Sequence, residues 1–205
     1  MATGRFLAFE GIDGSGKSTQ ASRVAKGLEA RLAFEPGDTV LGAALRELLL
    51  HDFSSDPTSV AEALLMAADR AQHVETVIVP ELASGRHVVT DRFNGSTLAY
   101  QGFGRGLDRN VLEQVLSFAT GGLTPDLTIV VDCDLETARE RSTGLKADRL
   151  EQLDPSFHAR VRAGFLTLAE ANSSWVVING EQSLHEVATA VNAAIAHHLG
   201  LEVKE

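Results

Sequence analysis

Apolar residues along the chain fall in short runs separated by longer amphipathic stretches, and this alternation predicts strands and helices in turn. Phe6-Leu7-Ala8-Phe9 reads as a short buried strand, followed by a glycine-rich turn and a helical segment from Lys17 to about Ala30. Leu32-Ala33-Phe34 is a short second strand. A long helical stretch from about Ser59 to Leu82 is opened by Pro57-Thr58 and closed near Gly85, with Pro80 bending it or starting a new turn. His87 to Thr90 forms a third strand ending in the polar pair Asp91-Arg92. Asp108 opens a helix that stops at Gly121-Gly122. Leu127 to Val131 is the fourth and most clearly buried strand. Asp154-Pro155 supplies an N-cap and first-turn proline for a helix reaching about Asn172. Trp175 to Ile178 is the fifth strand, and Ser183 with Glu186 forms a capping box for the last helix.

Strands alternating with helices predict an α/β fold with three layers: a five-stranded parallel sheet covered by helices on both faces. Ligands of such sheets bind beyond the carboxyl ends of the strands. The 205 residues contain no repeat or dividing linker, and they suit one domain over 1–205. Met1 to Arg5 runs straight into the first strand, so no signal peptide is expected, and the apolar runs are too short to span a membrane. A single cysteine, Cys133, permits no internal disulfide and fits a reducing cytoplasm. The hydrophobic fraction of 44% and mean hydropathy of +0.01 are ordinary for a globular chain. A net charge of −10 argues against nucleic acid or an anionic membrane as partner, but leaves small phosphorylated ligands open.

Gly11-Ile12-Asp13-Gly14-Ser15-Gly16-Lys17-Ser18 matches the G-x-x-x-x-G-K-[ST] pattern between a strand and a helix. The glycines let backbone N–H groups turn toward phosphate oxygens, and the helix N-terminus adds partial positive charge. Lys17 is then the candidate for the β- and γ-phosphates, and the Ser18 hydroxyl for Mg²⁺. The pattern places the fold among P-loop NTPases and kinases without separating kinases from GTPases and other ATPases. Asp91 can organise Mg²⁺ and its waters, and Arg92 can clamp a second phosphate; a surface ion pair closing a strand is the plainer alternative. Arg70 interrupts an apolar helix face with Met66 one turn earlier, so it needs a partner or a ligand. Arg139, Arg141, Lys146 and Arg149 form a basic cluster that either neutralises a transferring phosphoryl group or is a solvated face.

These segments, in this order, resemble the thymidylate kinase family over nearly the whole chain. Phe9 to Gln20, including Thr19, is similar to its phosphate loop; Glu35-Pro36-Gly37 with Leu41-Gly42 and Leu45-Arg46 to its substrate-side segment; and Ala68 to His73 to its substrate helix. The most specific match is Asp91-Arg92-Phe93 with Ser96-Thr97 and Ala99-Tyr100-Gln101-Gly102. Pro125 to Thr128 and Asp148-Arg149-Leu150-Glu151 complete it.

The resemblance implies transfer of the γ-phosphoryl group of ATP to dTMP, giving dTDP and ADP on the way to dTTP, in a homodimer. It implies that Lys17 and Ser18 hold ATP phosphates and Mg²⁺. Asp13 would face the sugar 3′-hydroxyl, Asp91 join the metal network and Arg92 hold the acceptor phosphate. Arg70, Thr97 and Ser96 would contact the thymine, with Glu35, Pro36 and Gln101 on the substrate side, and Tyr100 would crowd the 2′ position. The segment from about 141 to 151 resembles a lid, whose closure would keep water from the γ-phosphate.

Three departures stand out. Met66 occupies the position where the family usually stacks an aromatic ring on thymine. The segment between the first helix and Glu35 is several residues shorter than usual in the family, so a stunted second strand is expected. Phe34 replaces an arginine before Glu-Pro-Gly, with Arg46 as a candidate to compensate. With no arginine in its phosphate loop, the chain resembles family members that take the catalytic arginine from the lid, which is expected here from Arg141 and Arg149 jointly. Met66 keeps dUMP or another monophosphate open as the acceptor, and a nucleotide-binding module without transfer is the reading from another class.

Overall fold

The computed structural model describes residues 4–50, 56–143 and 148–204. Five strands are described: β1 (Phe6–Glu10), β2 (Arg31–Phe34), β3 (Val88–Asp91), β4 (Leu127–Asp132) and β5 (Trp175–Asn179). They form one all-parallel sheet in the order β2-β3-β1-β4-β5, with Phe9 opposite both Asp91 and Ile129. Because the chain leaves β1 between β3 and β4, the carboxyl ends of these three strands open a crevice at the middle of the sheet.

Strand residues alternate between two cores, as the two-residue period requires. Leu7, Phe9, Ile129 and Val131 pack against α1 (Lys17–Gly27) and α9 (Leu184–Leu199) through Val24, Val187, Val191 and Ile195. On the other face Val130 meets α7 (Leu135–Arg141) and α8 (Pro155–Glu170), while Phe6, Ala8 and Val88 meet Val74, Ile78 and Phe93. The predicted three layers are therefore present, and residues such as Leu7 and Phe9 are fully buried.

Helix boundaries follow local chemistry. α1 stops at Gly27, short of the expected Ala30, because Glu29 adopts a left-handed φ of 54°. The long helix is split into α3 (Ser59–His73), a π-helical turn (Val74–Ile78) and α4 (Val79–Ala83). Pro80 lacks the N–H that an uninterrupted α-helix would require there, and the wider turn precedes it. α6 (Arg109–Thr120) starts at the Asp108 cap and ends on Gly121, and the Ser183–Glu186 capping box of α9 is complete.

Four helical segments among the described residues were not foreseen. α2 (Val40–Leu50) has an apolar run without a conventional acidic start, and is begun by Thr39, whose hydroxyl accepts from Gly42 N at 2.9 Å. α5 (Asn94–Thr97) and the π-helical segment Leu98–Gly104 carry a glycine-rich stretch that sequence periodicity does not mark as helical. α7 lies where the basic cluster was read, capped by Asp134, which accepts from Thr137 N at 2.7 Å. Lys146 of that cluster, and part of the expected lid, lie outside the described residues.

Candidate active site

The phosphate loop is built by the end of β1 and the start of α1. Gly14 has φ 80° and packs on α7 so closely that a Cβ there would lie 2.2 Å from the carbonyl oxygen of Ala138. Gly16, also left-handed at φ 96°, faces open space and leaves the backbone N–H groups of Lys17, Ser18 and Thr19 free at the helix start. Gly11 and Ile12 are buried at the root of the loop, and the Ser15 hydroxyl is buried without a hydrogen-bond partner. Ser18 and Thr19 are exposed.

Lys17 is buried, and its ammonium bonds Asp13 Oδ1 at 3.0 Å. The same carboxylate receives Arg92 Nη2 at 2.5 Å, and Tyr100 donates its hydroxyl to Oδ2 at 3.0 Å. Burial alone would raise the Asp13 carboxyl, but the facing charges of Arg92 and Lys17 hold it well below the usual carboxylate range. Burial pushes the Tyr100 phenol up, so it is a neutral donor. Burial opposes the charge of Arg92, yet Asp13, with Tyr100 and Asp91 beyond it, keeps the guanidinium protonated.

Arg92 reaches this position through a left-handed φ of 74°, an uncommon backbone for a non-glycine residue. What holds it is Glu10, a buried carboxylate to which the motifs had given no role. Glu10 Oε1 accepts from Phe93 N at 2.9 Å and Ser96 N at 3.0 Å, and Oε2 accepts from the Ser96 hydroxyl at 2.6 Å. Burial raises the Glu10 carboxyl to about 7 against the lowering effect of Ser96 and Arg92. Ser96 in turn accepts from Arg92 Nη1 at 2.9 Å. Asp91 ends β3 beside the loop, with Oδ1 buried and unpartnered. That orphaned oxygen, with the exposed Ser18 hydroxyl, is a donor set that suits a hard divalent cation and its waters.

Two cavities meet at Asp13 and Glu151. One, of about 690 Å³, lies between the phosphate loop, α7 and the start of α8, with Ile12, Arg139, Leu153 and His158 in its wall. The other, of about 140 Å³, is lined by Arg46, Met66, Arg70, Arg92, Thr97 and Tyr100, with Glu35, Pro36, Ser96 and Gln101 also at its edge. All ten residues expected on the substrate side thus surround one cavity. Arg70 is buried there and bonds Glu35 Oε2 at 2.7 Å, Thr97 Oγ1 at 2.8 Å and the Phe93 carbonyl at 2.9 Å. Arg46, the candidate to compensate for Phe34, lies in α2 and donates to the Pro36 carbonyl at 2.7 Å.

The two lid arginines separate. Arg141 is exposed and donates to the carbonyls of Gly180 at 2.8 Å and Ser15 at 3.5 Å, next to the phosphate loop. Arg149 is buried elsewhere: it donates to Glu62 Oε2 at 2.7 Å and to the Leu49 carbonyl at 3.0 Å. Glu62 is fully buried and also receives Gln101 and Arg105; burial would raise it, but these donors hold it below the usual carboxylate range. Sequence reasoning passed over Glu62, although its spacing of four from Met66 and eight from Arg70 places all three on one helix face.

A strand, a glycine loop, a helix starting with lysine and serine, and a second arginine-lined cavity at the same sheet crevice define a P-loop nucleotide-binding protein of the phosphoryl-transfer class. Residues 9–191 match the family described as thymidylate kinase. A thymidylate kinase of Synechococcus sp. (strain WH7803) is 47% identical over 97% of this chain and 98% of its own. One of Trichormus variabilis is 42% identical over 96% and 97%. The crystal structure of thymidylate kinase from Ehrlichia chaffeensis superposes with a TM-score of 0.78 at 31% identity, over 94% of this chain and 98% of that one. The chain belongs to the thymidylate kinase family.

The packing of Gly14 on α7 sets a first expectation. Gly14→Ala would force the loop off Ala138 and impose a strained backbone. Strain of this kind weakens ATP binding by about tenfold or more. Calorimetric titration with ATP, with circular dichroism confirming the fold, checks this; unaltered affinity would mean the loop does not depend on that contact.

Proposed function

We propose that this chain transfers the γ-phosphoryl group of ATP to dTMP, giving dTDP and ADP on the way to dTTP. The observation that carries the reading is the position of Asp13 and Arg92, which join the phosphate loop to the arginine-lined cavity. An oxygen of the acceptor phosphate attacks the γ-phosphorus, the bond to the β,γ-bridging oxygen breaks, and ADP leaves. The acceptor is itself an anion, so the work is alignment and charge stabilisation and no strong general base is needed.

Lys17 and the N–H groups of Gly14 to Thr19 hold the donor phosphates. Ser18 and Asp91, directly or through water, would hold Mg²⁺, which when bound would withdraw charge from the donor phosphates. Arg92 holds the acceptor phosphate, and Asp13 keeps Arg92 and Lys17 in place while offering its carboxylate to the sugar 3′-hydroxyl. Tyr100, fixed by Asp13, crowds the 2′ position. Arg70, Ser96 and Thr97 present polar atoms to the base, and Met66 packs on its face. Arg141 serves the transferring phosphoryl group from the phosphate-loop side, whereas Arg149 is engaged with Glu62 and anchors the segment that follows residue 147. The whole chain acts as one kinase domain in the cytoplasm; no helix among the described residues is long and apolar enough to cross a membrane. Because Met66 replaces an aromatic ring, dUMP is the acceptor to weigh against dTMP.

The functional unit is a homodimer. The packed helices α3 and α6 each leave an apolar row exposed, Val60 and Leu64 on one and Val111 and Phe118 on the other. Phe118 is 90% exposed, a position for a large aromatic ring that a partner surface would account for.

Purified protein with ATP and Mg²⁺ is expected to phosphorylate dTMP in preference to dUMP, dCMP, dGMP, UMP and AMP, and Lys17→Ala to abolish transfer. ADP release with product identification reads the outcome. Preference for another monophosphate would reassign the base pocket, and ATP binding without transfer would favour a nucleotide-binding module. In sedimentation equilibrium the protein should run at twice its 21.9 kDa mass and Phe118→Asp should shift it toward monomer. A monomeric parent protein would contradict the dimer.

A further inference from the structure

Among the fully enclosed titratable groups outside the phosphate loop is His73, at the end of α3. Its side chain has no exposed surface, yet Nδ1 lies 2.8 Å from Glu35 Oε1 and Nε2 lies 3.0 Å from Asp38 Oδ2. Each carboxylate also has its own arginine: Arg70 Nε bonds Glu35 at 2.7 Å, and Arg31 Nη2 bonds Asp38 at 2.8 Å. A neutral imidazole has one donor and one acceptor, so it can donate to only one of the two carboxylates. An imidazolium satisfies both. On α3 itself Asp69 and Arg70 are the other charged groups close by, and Asp69 accepts from Gly37 N at 3.1 Å. With His73 protonated, three cations (Arg31, Arg70, His73) face three carboxylates (Glu35, Asp38, Asp69). Burial by itself would lower the ring's affinity for its proton, but Glu35 and Asp38 more than offset this and raise it.

Glu35 and Asp38 are the two ends of a four-residue turn that borders the arginine-lined cavity through Glu35 and Pro36. The Pro36 carbonyl fixes the Arg46 guanidinium, and Arg70 in the cavity wall leans on Glu35. We propose that His73 is a positioning residue that acts as a buried cation, pinning both ends of the Glu35–Asp38 turn so that Arg46 and Arg70 are set for the nucleoside monophosphate. It touches neither nucleotide. This deepens the reading that the cavity takes the acceptor, and rests on it. The proton stabilises the turn fully below the ordinary imidazole value of about 6.5. That contribution is lost as pH rises through the raised value of the folded ring.

The test has two arms. Nuclear magnetic resonance of histidine-labelled protein, with the His73 signal assigned by its absence from His73→Gln, reads the ring directly and needs no turnover. The ring should carry both protons at pH 7 and titrate above about 6.5. In the second arm, KM for dTMP and for ATP and kcat are measured against pH for the parent protein and His73→Gln. Loss of one charge-assisted anchor raises the acceptor KM by about tenfold. KM for ATP and kcat should stay near parent values. The parent's acceptor KM should climb at alkaline pH while the variant's stays flat, the ionisation of the dTMP phosphate being common to both. A ring neutral at pH 7 overturns the proposal. So does a variant in which both KM values move together, or one whose melting temperature falls with both KM values unchanged. Failure of dTMP as substrate would show in the parent protein, and the resonance arm would still decide the state of His73.

Discussion

The ion pair between Asp13 and Arg92 is the contact that joins the two halves of the site. It joins a carboxylate of the phosphate loop to the end of β3, and adds Lys17 and Tyr100 to the same two oxygens. Taking an arginine and a carboxylate out of water is costly, and the pair is favourable only where further hydrogen bonds satisfy the buried groups. Arg92 meets this condition at Nη1 and Nη2 through Asp13, the Gly11 carbonyl, Ser96 and Tyr100. Its strained backbone is held from below by Glu10, which fixes the first turn of α5. A single carboxylate at the end of β1 therefore sets the geometry of an arginine that comes from β3.

Much of this was legible from residue types and spacing. The strand–glycine–helix order identified the phosphate loop, because only that sequence places N–H groups and a helix terminus at one point. Arg70 was recognisable as a charge that needed partners, and it finds Glu35, Thr97 and the Phe93 carbonyl at the arginine-lined cavity. The five strands were readable from their apolar runs: the central β1, β3 and β4 are buried on both faces, and the edge strands β2 and β5 carry runs of the same kind with fewer buried residues.

What was not legible depends on contacts between distant segments. Glu10 looks like the polar end of a strand until Ser96 is folded onto it, and Glu62 looks like one acidic residue in a helix until Arg105 and Arg149 converge there. Arg149 shared the charge and neighbourhood of Arg141, and only tertiary packing separates them. One reaches the rim of the phosphate loop, and the other is drawn to a fully buried carboxylate. The helical character of 94–104 was hidden because its π-helical turns and glycines have no 3.6-residue apolar period. α2 was missed for a related reason, since apolar residues occupy nearly all of its turns and mark no single face.

The central claim is that Arg92 belongs to the acceptor and the Lys17 loop to the donor, with Asp13 between them. Paired calorimetric titrations of Arg92→Met with dTMP and with ATP test it most directly. Loss of a charge-assisted phosphate contact should weaken dTMP by about tenfold or more and leave ATP affinity close to that of the parent protein. An Arg92→Met protein that binds dTMP normally but loses ATP would contradict the division of the site.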